Sequence, residues 1–144
     1  MESHIYKVNL KWEKGREGIL SSPELNSDVR VATPPEFDQG VAGIWSPEHL
    51  FTASVVSCFM TTFLAIAHYS KLEFKDFDCH ADGKLDKVER QYQMTEILLK
   101  PRLTIFDEKF RSKANRILVK ADAACLITQS IHTKIILEPT ILID

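Results

Sequence analysis

The chain has 144 residues, 44% hydrophobic and 26% charged, with 18 basic and 20 acidic side chains for a net charge of −2. A chain of this length can bury roughly 70% of its unfolded surface around one core, so it needs no disulfide staple. The near-neutral charge supplies no electrostatic pull toward nucleic acid or an anionic membrane. One domain spanning 1–144 is expected.

The opening Met-Glu-Ser-His-Ile-Tyr-Lys-Val lacks an apolar signal core, and three cysteines are too few and too odd for a secreted framework. A reducing, cytoplasmic setting is the expectation, in which thiols are either packed or working.

In chain order, Ile5 to Glu13 alternates as a strand does, Lys14-Gly15-Arg16-Glu17-Gly18 turns, and Ile19 to Ser22 resumes. Asn26-Ser27-Asp28 turns again into Val29 to Ala32, giving a three-stranded antiparallel meander. Thr33 to Gly40 carries adjacent prolines, which predict an extended passage. Ser46 is placed to cap a helix with Pro47 at its first position, running to about Tyr69. Phe74 to Val88 and Tyr92 to Phe106 form a long hairpin joined near Glu89-Arg90, with Gly83 marking a bulge and Pro101 an irregularity. A second helix opens at Asp107 and ends near Cys125. Its apolar set is Phe110, Ala114, Ile117, Leu118, Ala121 and Ala124. Lys134 to Ile143 is one last strand.

The order β-β-β-α-β-β-α-β predicts an α+β domain with a mostly antiparallel sheet and two helices. Leu50 to Ala67 is an uncharged run of eighteen residues, near the lower limit of about 17 for a membrane span. A third of it is polar or thiol, and the remainder of the chain offers nothing membranous to partner it. We read it as a helix enclosed by protein. One sheet and a half-polar second helix cannot cover all its sides, so a homodimer follows.

On a helical wheel, Phe51, Ser54, Thr62, Ala65 and Tyr69 fall within ~40° of Cys58. Buried free cysteine usually just fills space, and the stripe alone favours that role. Cys58, Cys79 and Cys125 are 21 and 46 residues apart and His80 alternates with Cys79, so a metal site is disfavoured. His68 lies too far along the helix for a Cys-His hydrolase. Thiol redox chemistry needs a thiolate, a cation and a second thiol. Cys125 is available for the last part, and Arg16 stands at a turn tip where it could reach a partner.

The segments "KGREGIL", "TPPEFDQGVAGIWSPEHLFTASVVSCF" and "KADAACLITQSI" resemble the OsmC/Ohr superfamily, the osmotically inducible and organic-hydroperoxide-resistance proteins. The most specific piece runs from Pro47-Glu48 to Ser57-Cys58-Phe59. The resemblance implies an intertwined homodimer and a thiol peroxidase needing no cofactor. It also implies Cys58 as the peroxidatic thiol, Cys125 as the resolving one, and Arg16 and Glu48 as the ion pair that activates Cys58. The family commonly places proline after the second cysteine, where this chain has Leu126.

In that scheme Glu48 accepts from Arg16 and holds its fork against Cys58. The oxidised Cys58 condenses with Cys125, and an external dithiol reduces the disulfide. Phe51, Phe59 and Met60 favour an organic hydroperoxide, although only Phe51 shares the phase of Cys58. Glu48 and Cys58 are ten residues apart, about 15 Å along a helix and ~80° apart in phase. An active site shared across the subunit interface is therefore expected. The competing reading is a dimeric small-molecule-binding or stress protein that turns nothing over. A purely structural dimer is a third.

Overall fold

In the computed structural model, which describes residues 2–144, three antiparallel strands open the chain: β1 (Asn9–Lys14), β2 (Glu17–Ser21) and β3 (Val29–Ala32). The alternation beginning at Ile5 predicts an earlier start. Pairing begins only at Asn9 because Asn9 faces Ser21, the last residue of β2, and Pro23 lacks the N–H that could continue the ladder. The turn between β1 and β2 uses Gly15 at φ +51°, a conformation that favours glycine. Trp12 Nε1 donates to the Gly15 carbonyl at 3.0 Å and braces it.

Thr33 to Gly40 is folded rather than extended. Phe37 N–H donates to the Pro34 carbonyl at 3.1 Å, so Pro35 occupies the second position of a β-turn, and Val41 N–H closes back on Thr33 at 2.9 Å. The prolines constrain only the residues before them; Pro35 itself has the φ that a turn requires.

Helix α1 (Pro47–Tyr69) starts where the cap predicts. Ser46, fully buried, accepts from the His49 backbone N–H at 3.1 Å, and its hydroxyl lies 2.7 Å from His49 Nδ1. The helix ends in a Schellman arrangement. Lys71 takes φ +57°, Leu72 N–H reaches the Ala67 carbonyl at 2.9 Å, and Lys71 N–H reaches His68 at 3.1 Å.

By contact, the chain divides into two units, one ending at Leu50 and the other running from Phe51 to Asp144. The second is built on β4 (Asp76–Val88) and β5 (Gln91–Ile105), antiparallel and joined at Glu89-Arg90, both with positive φ. That is the backbone twist a tight hairpin needs. The bulge falls between Lys84 and Leu85, beside Gly83 rather than at it. Gly83 has another role: a Cβ there would collide with Thr52 Oγ1 and stand 2.9 Å from Met94 Cε. Its missing side chain lets β4 pass over α1.

After β5 a short 3-10 turn (Glu108–Phe110) is capped by Asp107, whose carboxylate accepts from Lys109 N–H at 2.9 Å. α2 (Arg111–Ala124) and a single turn, α3 (Leu126–Gln129), follow, separated by Cys125 in extended conformation at φ −62°, ψ 116°. The last strand of the sequence reading is two strands, β6 (Lys134–Leu137) and β7 (Thr140–Ile143), both parallel to β5. Pro139 interrupts the ladder between them, and Pro101 on β5 lies opposite that gap, where its missing N–H costs no bond on that side. The crossover through α2 returns the chain in the direction of β5, which makes the pairing parallel.

One face of β5 (Ile97, Leu99, Leu103, Ile105) packs with Val55, Phe59, Phe63 and Ala67 of α1 and with Ala114, Ile117, Leu118 and Ala121 of α2. Phe63 stacks on Phe77 at 4.7 Å and 12°. The architecture is α+β, helices against one face of the sheet. Within one chain α1 is not enclosed on all sides: one stripe is buried, while Met60 and Leu64 are 39% and 40% exposed. By length and composition alone α1 could cross a membrane, yet its buried stripe is the core of the second unit.

Candidate active site: two facing thiols

Cys58 lies mid-helix in α1, one position from the core residue Phe59, and is half-buried. Cys125 is buried at the joint between α2 and α3. Both are free thiols, close enough that each shifts the other's proton affinity. Thus a separation of 67 positions in sequence is closed by the packing of α1 and α2 on the same sheet.

Their electrostatics differ. Burial pushes the Cys58 thiol up, but four groups outweigh it: the Cys125 thiol, the Ile127 backbone, the Thr62 hydroxyl and the Leu126 backbone. Each favours the thiolate, so Cys58 sits below the ordinary thiol range. Thr62 Oγ1 is 4.0 Å from the sulfur, one helical turn on. Cys125 is held above its ordinary range, first by burial and then by the neighbouring Cys58. The hydroxyl and backbone of Thr128 work against that rise. The result is a more accessible sulfur that ionises first and a buried sulfur that keeps its proton.

The backbone groups of Leu126 and Ile127 have no signature in side-chain chemistry, so the sequence reading missed them. Thr62 was legible from the wheel. Cys79 is a packing thiol: burial pushes it up to about 11, and Sγ donates to the His80 carbonyl at 3.6 Å. Among the described residues, no three His, Cys, Asp or Glu side chains converge as a metal site.

Arg16 and Glu48 belong to the unit ending at Leu50. Arg16 is exposed at the β1–β2 turn, its carbonyl accepting from Thr33 N–H at 3.3 Å. With Leu10, Trp12, Val31 and Pro47 it lines a pocket of ≈400 Å³. Glu48 stands in the first turn of α1, half-buried, with Oε1 shielded from solvent. A carboxylate there is favoured by the positive end of the helix dipole.

Sequence comparison finds YmaD of Bacillus subtilis (strain 168), 19% identical over 141 residues, covering 96% of this chain and 93% of YmaD. Among solved structures, the OsmC-like protein VCA0330 from Vibrio cholerae O1 biovar eltor str. N16961 superposes with a TM-score of 0.85 at 19% identity, covering 95% of this chain and 99% of the other. An organic hydroperoxide resistance protein OsmC from Legionella pneumophila gives 0.76 at 20% identity, with 98% and 100% covered. At these identities the likeness establishes the fold. The family model for OsmC-like protein matches residues 40–139, a span that contains both facing thiols. The chain belongs to the OsmC-like protein family.

Proposed function

We propose that the protein is a cysteine-based peroxidase that reduces organic hydroperoxides with thiol electrons in the cytoplasm. The carrying observation is the asymmetric pair: Cys58, partly exposed and lowered, facing Cys125, buried and raised. The Cys58 thiolate attacks the distal oxygen of a hydroperoxide ROOH and the O–O bond breaks. RO⁻ takes a proton and leaves as ROH, and the sulfur becomes a sulfenic acid. The Cys125 thiol condenses with it, forming the S–S bond and releasing water. Two electrons leave the thiol pair, and an external dithiol restores them by exchange. The name of the Legionella protein, organic hydroperoxide resistance protein, is consistent with this chemistry.

The working form proposed is a homodimer in which Arg16 and Glu48 complete the site at the subunit interface. Two observations support a second copy. Tyr6, Val8, Leu10 and Trp12 are between 66% and 85% exposed, and α1 leaves Met60 and Leu64 open. Covering such surfaces is the usual use of a self-complementary interface.

The test adds one equivalent of cumene hydroperoxide to reduced protein and counts free thiols. Two are lost per chain in the wild type and none in Cys58→Ser; Cys125→Ser stops at a dimedone-reactive sulfenic acid. Loss no faster than that of free cysteine overturns the enzyme. It would favour instead a dimeric binding protein, a reading supported by the ready-made pocket beside Arg16.

A further inference from the structure

The solvent side of α2 carries a feature that the thiol pair does not use. Lys113, Arg116 and Lys120 occupy positions i, i+3 and i+7, within ~60° of one another around the helix. Together with Ser70, just beyond the end of α1, they line a groove of ≈520 Å³. No acidic side chain lines it. Among the described residues none of the three cations takes part in a salt bridge. In a chain of net charge −2 this is a local inversion of sign.

The groove is also apolar where the cations are not. Ile117, 4% exposed, backs it, and Val119 is a branched aliphatic side chain left 54% exposed beside the charges. Three like charges on adjacent turns repel, and an anion seated among them relieves that repulsion. A guanidinium fork flanked by two ammonium groups suits a planar carboxylate or a phosphate. The volume lies within the roughly 300–1,000 Å³ typical of small-molecule sites.

We propose that this groove binds a free amphiphilic anion, a carboxylate or phosphate head carrying a short apolar tail. Arg116, Lys113 and Lys120 surround the head, and Ile117 and Val119 take the tail. The assignment stands whether or not Cys58 turns over hydroperoxide.

The test is a ¹⁵N NMR titration of the full chain with octanoate, octyl phosphate, octanol and inorganic phosphate, and separately with anionic vesicles. Octanoate or octyl phosphate saturably shifts the amides of α2 and Ser70, and which of the two binds more tightly identifies the head. Octanol and inorganic phosphate each bind at least ten-fold more weakly. Arg116→Ala with Lys120→Ala lowers the affinity at least ten-fold without changing the melting temperature, whereas Lys109→Ala leaves it unchanged. Val119→Glu abolishes binding. The proposal is overturned if octanol binds as well as octanoate, or if the charge variants bind normally. It is equally overturned if the shifts gather around Cys58, if only vesicles bind, or if no probe binds.

Discussion

Cys125 and Cys58 shift each other in opposite directions: the Cys125 thiol favours the Cys58 thiolate, and Cys58 in turn helps to raise Cys125. Removing the Cys125 thiol should therefore weaken Cys58 as a nucleophile. Cys125→Ala is expected to slow alkylation of Cys58 by iodoacetamide at pH 7 about 5-fold, the size of a hydrogen bond of roughly 1 kcal/mol. Cys125→Ser, which keeps a donor, should lose less. All three rates should converge at high pH, where Cys58 is fully ionised; a wild-type rate already equal to that of Cys125→Ala at pH 7 would refute the coupling.

Leu126 gives a cleaner probe of the backbone contribution. It is the first residue of α3, it is 65% exposed, and the residue before it already has φ −62° and ψ 116°. Proline is tolerated at a first helical position after such a residue. Leu126→Pro should therefore keep the fold, remove one N–H, and raise the Cys58 pKa relative to wild type. The readout is the pH dependence of alkylation, with the melting temperature as control. An unchanged profile in a folded variant would mean that this N–H does not hold the thiolate.

Gly83→Ala should destabilise the second unit by about 1–3 kcal/mol, the usual range for overpacking. The new methyl would meet Thr52 Oγ1 and the Met94 side chain. Thr52→Ala in the same chain should recover part of the loss in chemical denaturation. Full stability in the single variant would show that β4 can shift away from α1 without cost.

Asp122 is expected to make stability depend on pH in an unusual sense. Burial raises its carboxyl above the ordinary value, and Oδ1 is shielded without a hydrogen-bond partner among the described residues. The native state then holds this proton more tightly than the unfolded chain. The contribution of Asp122 to stability accordingly falls as pH rises from the unfolded to the folded value. Asp122→Asn should melt higher than wild type at pH 7, with the difference shrinking below about pH 4, near the ordinary carboxyl value. A lower melting temperature at pH 7 would contradict this.

Local chemistry made much of the architecture legible. Ser46 and Pro47 mark the start of α1 because capping and a fixed φ act within one turn, and both hairpin arms follow from period-two alternation. The stripe holding Cys58 and Thr62 is likewise a matter of helical phase alone. Other features depended on neighbours distant in sequence. Tyr6 and Val8 alternate correctly yet lie outside β1, because a strand ends where its partner ends. Pro139 divides the final strand, and only the path through α2 makes both pieces parallel to β5.

Residue types and local periodicity were thus enough to outline the elements that carry Cys58 and Cys125, whereas singling out these two thiols took the resemblance to the OsmC/Ohr superfamily. Tertiary structure alone brought the two thiols near each other and set the Leu126 and Ile127 backbone to favour the Cys58 thiolate. The reason is physical: propensity and phase act over a few residues, whereas a thiol's proton affinity is set by whatever packing places around it.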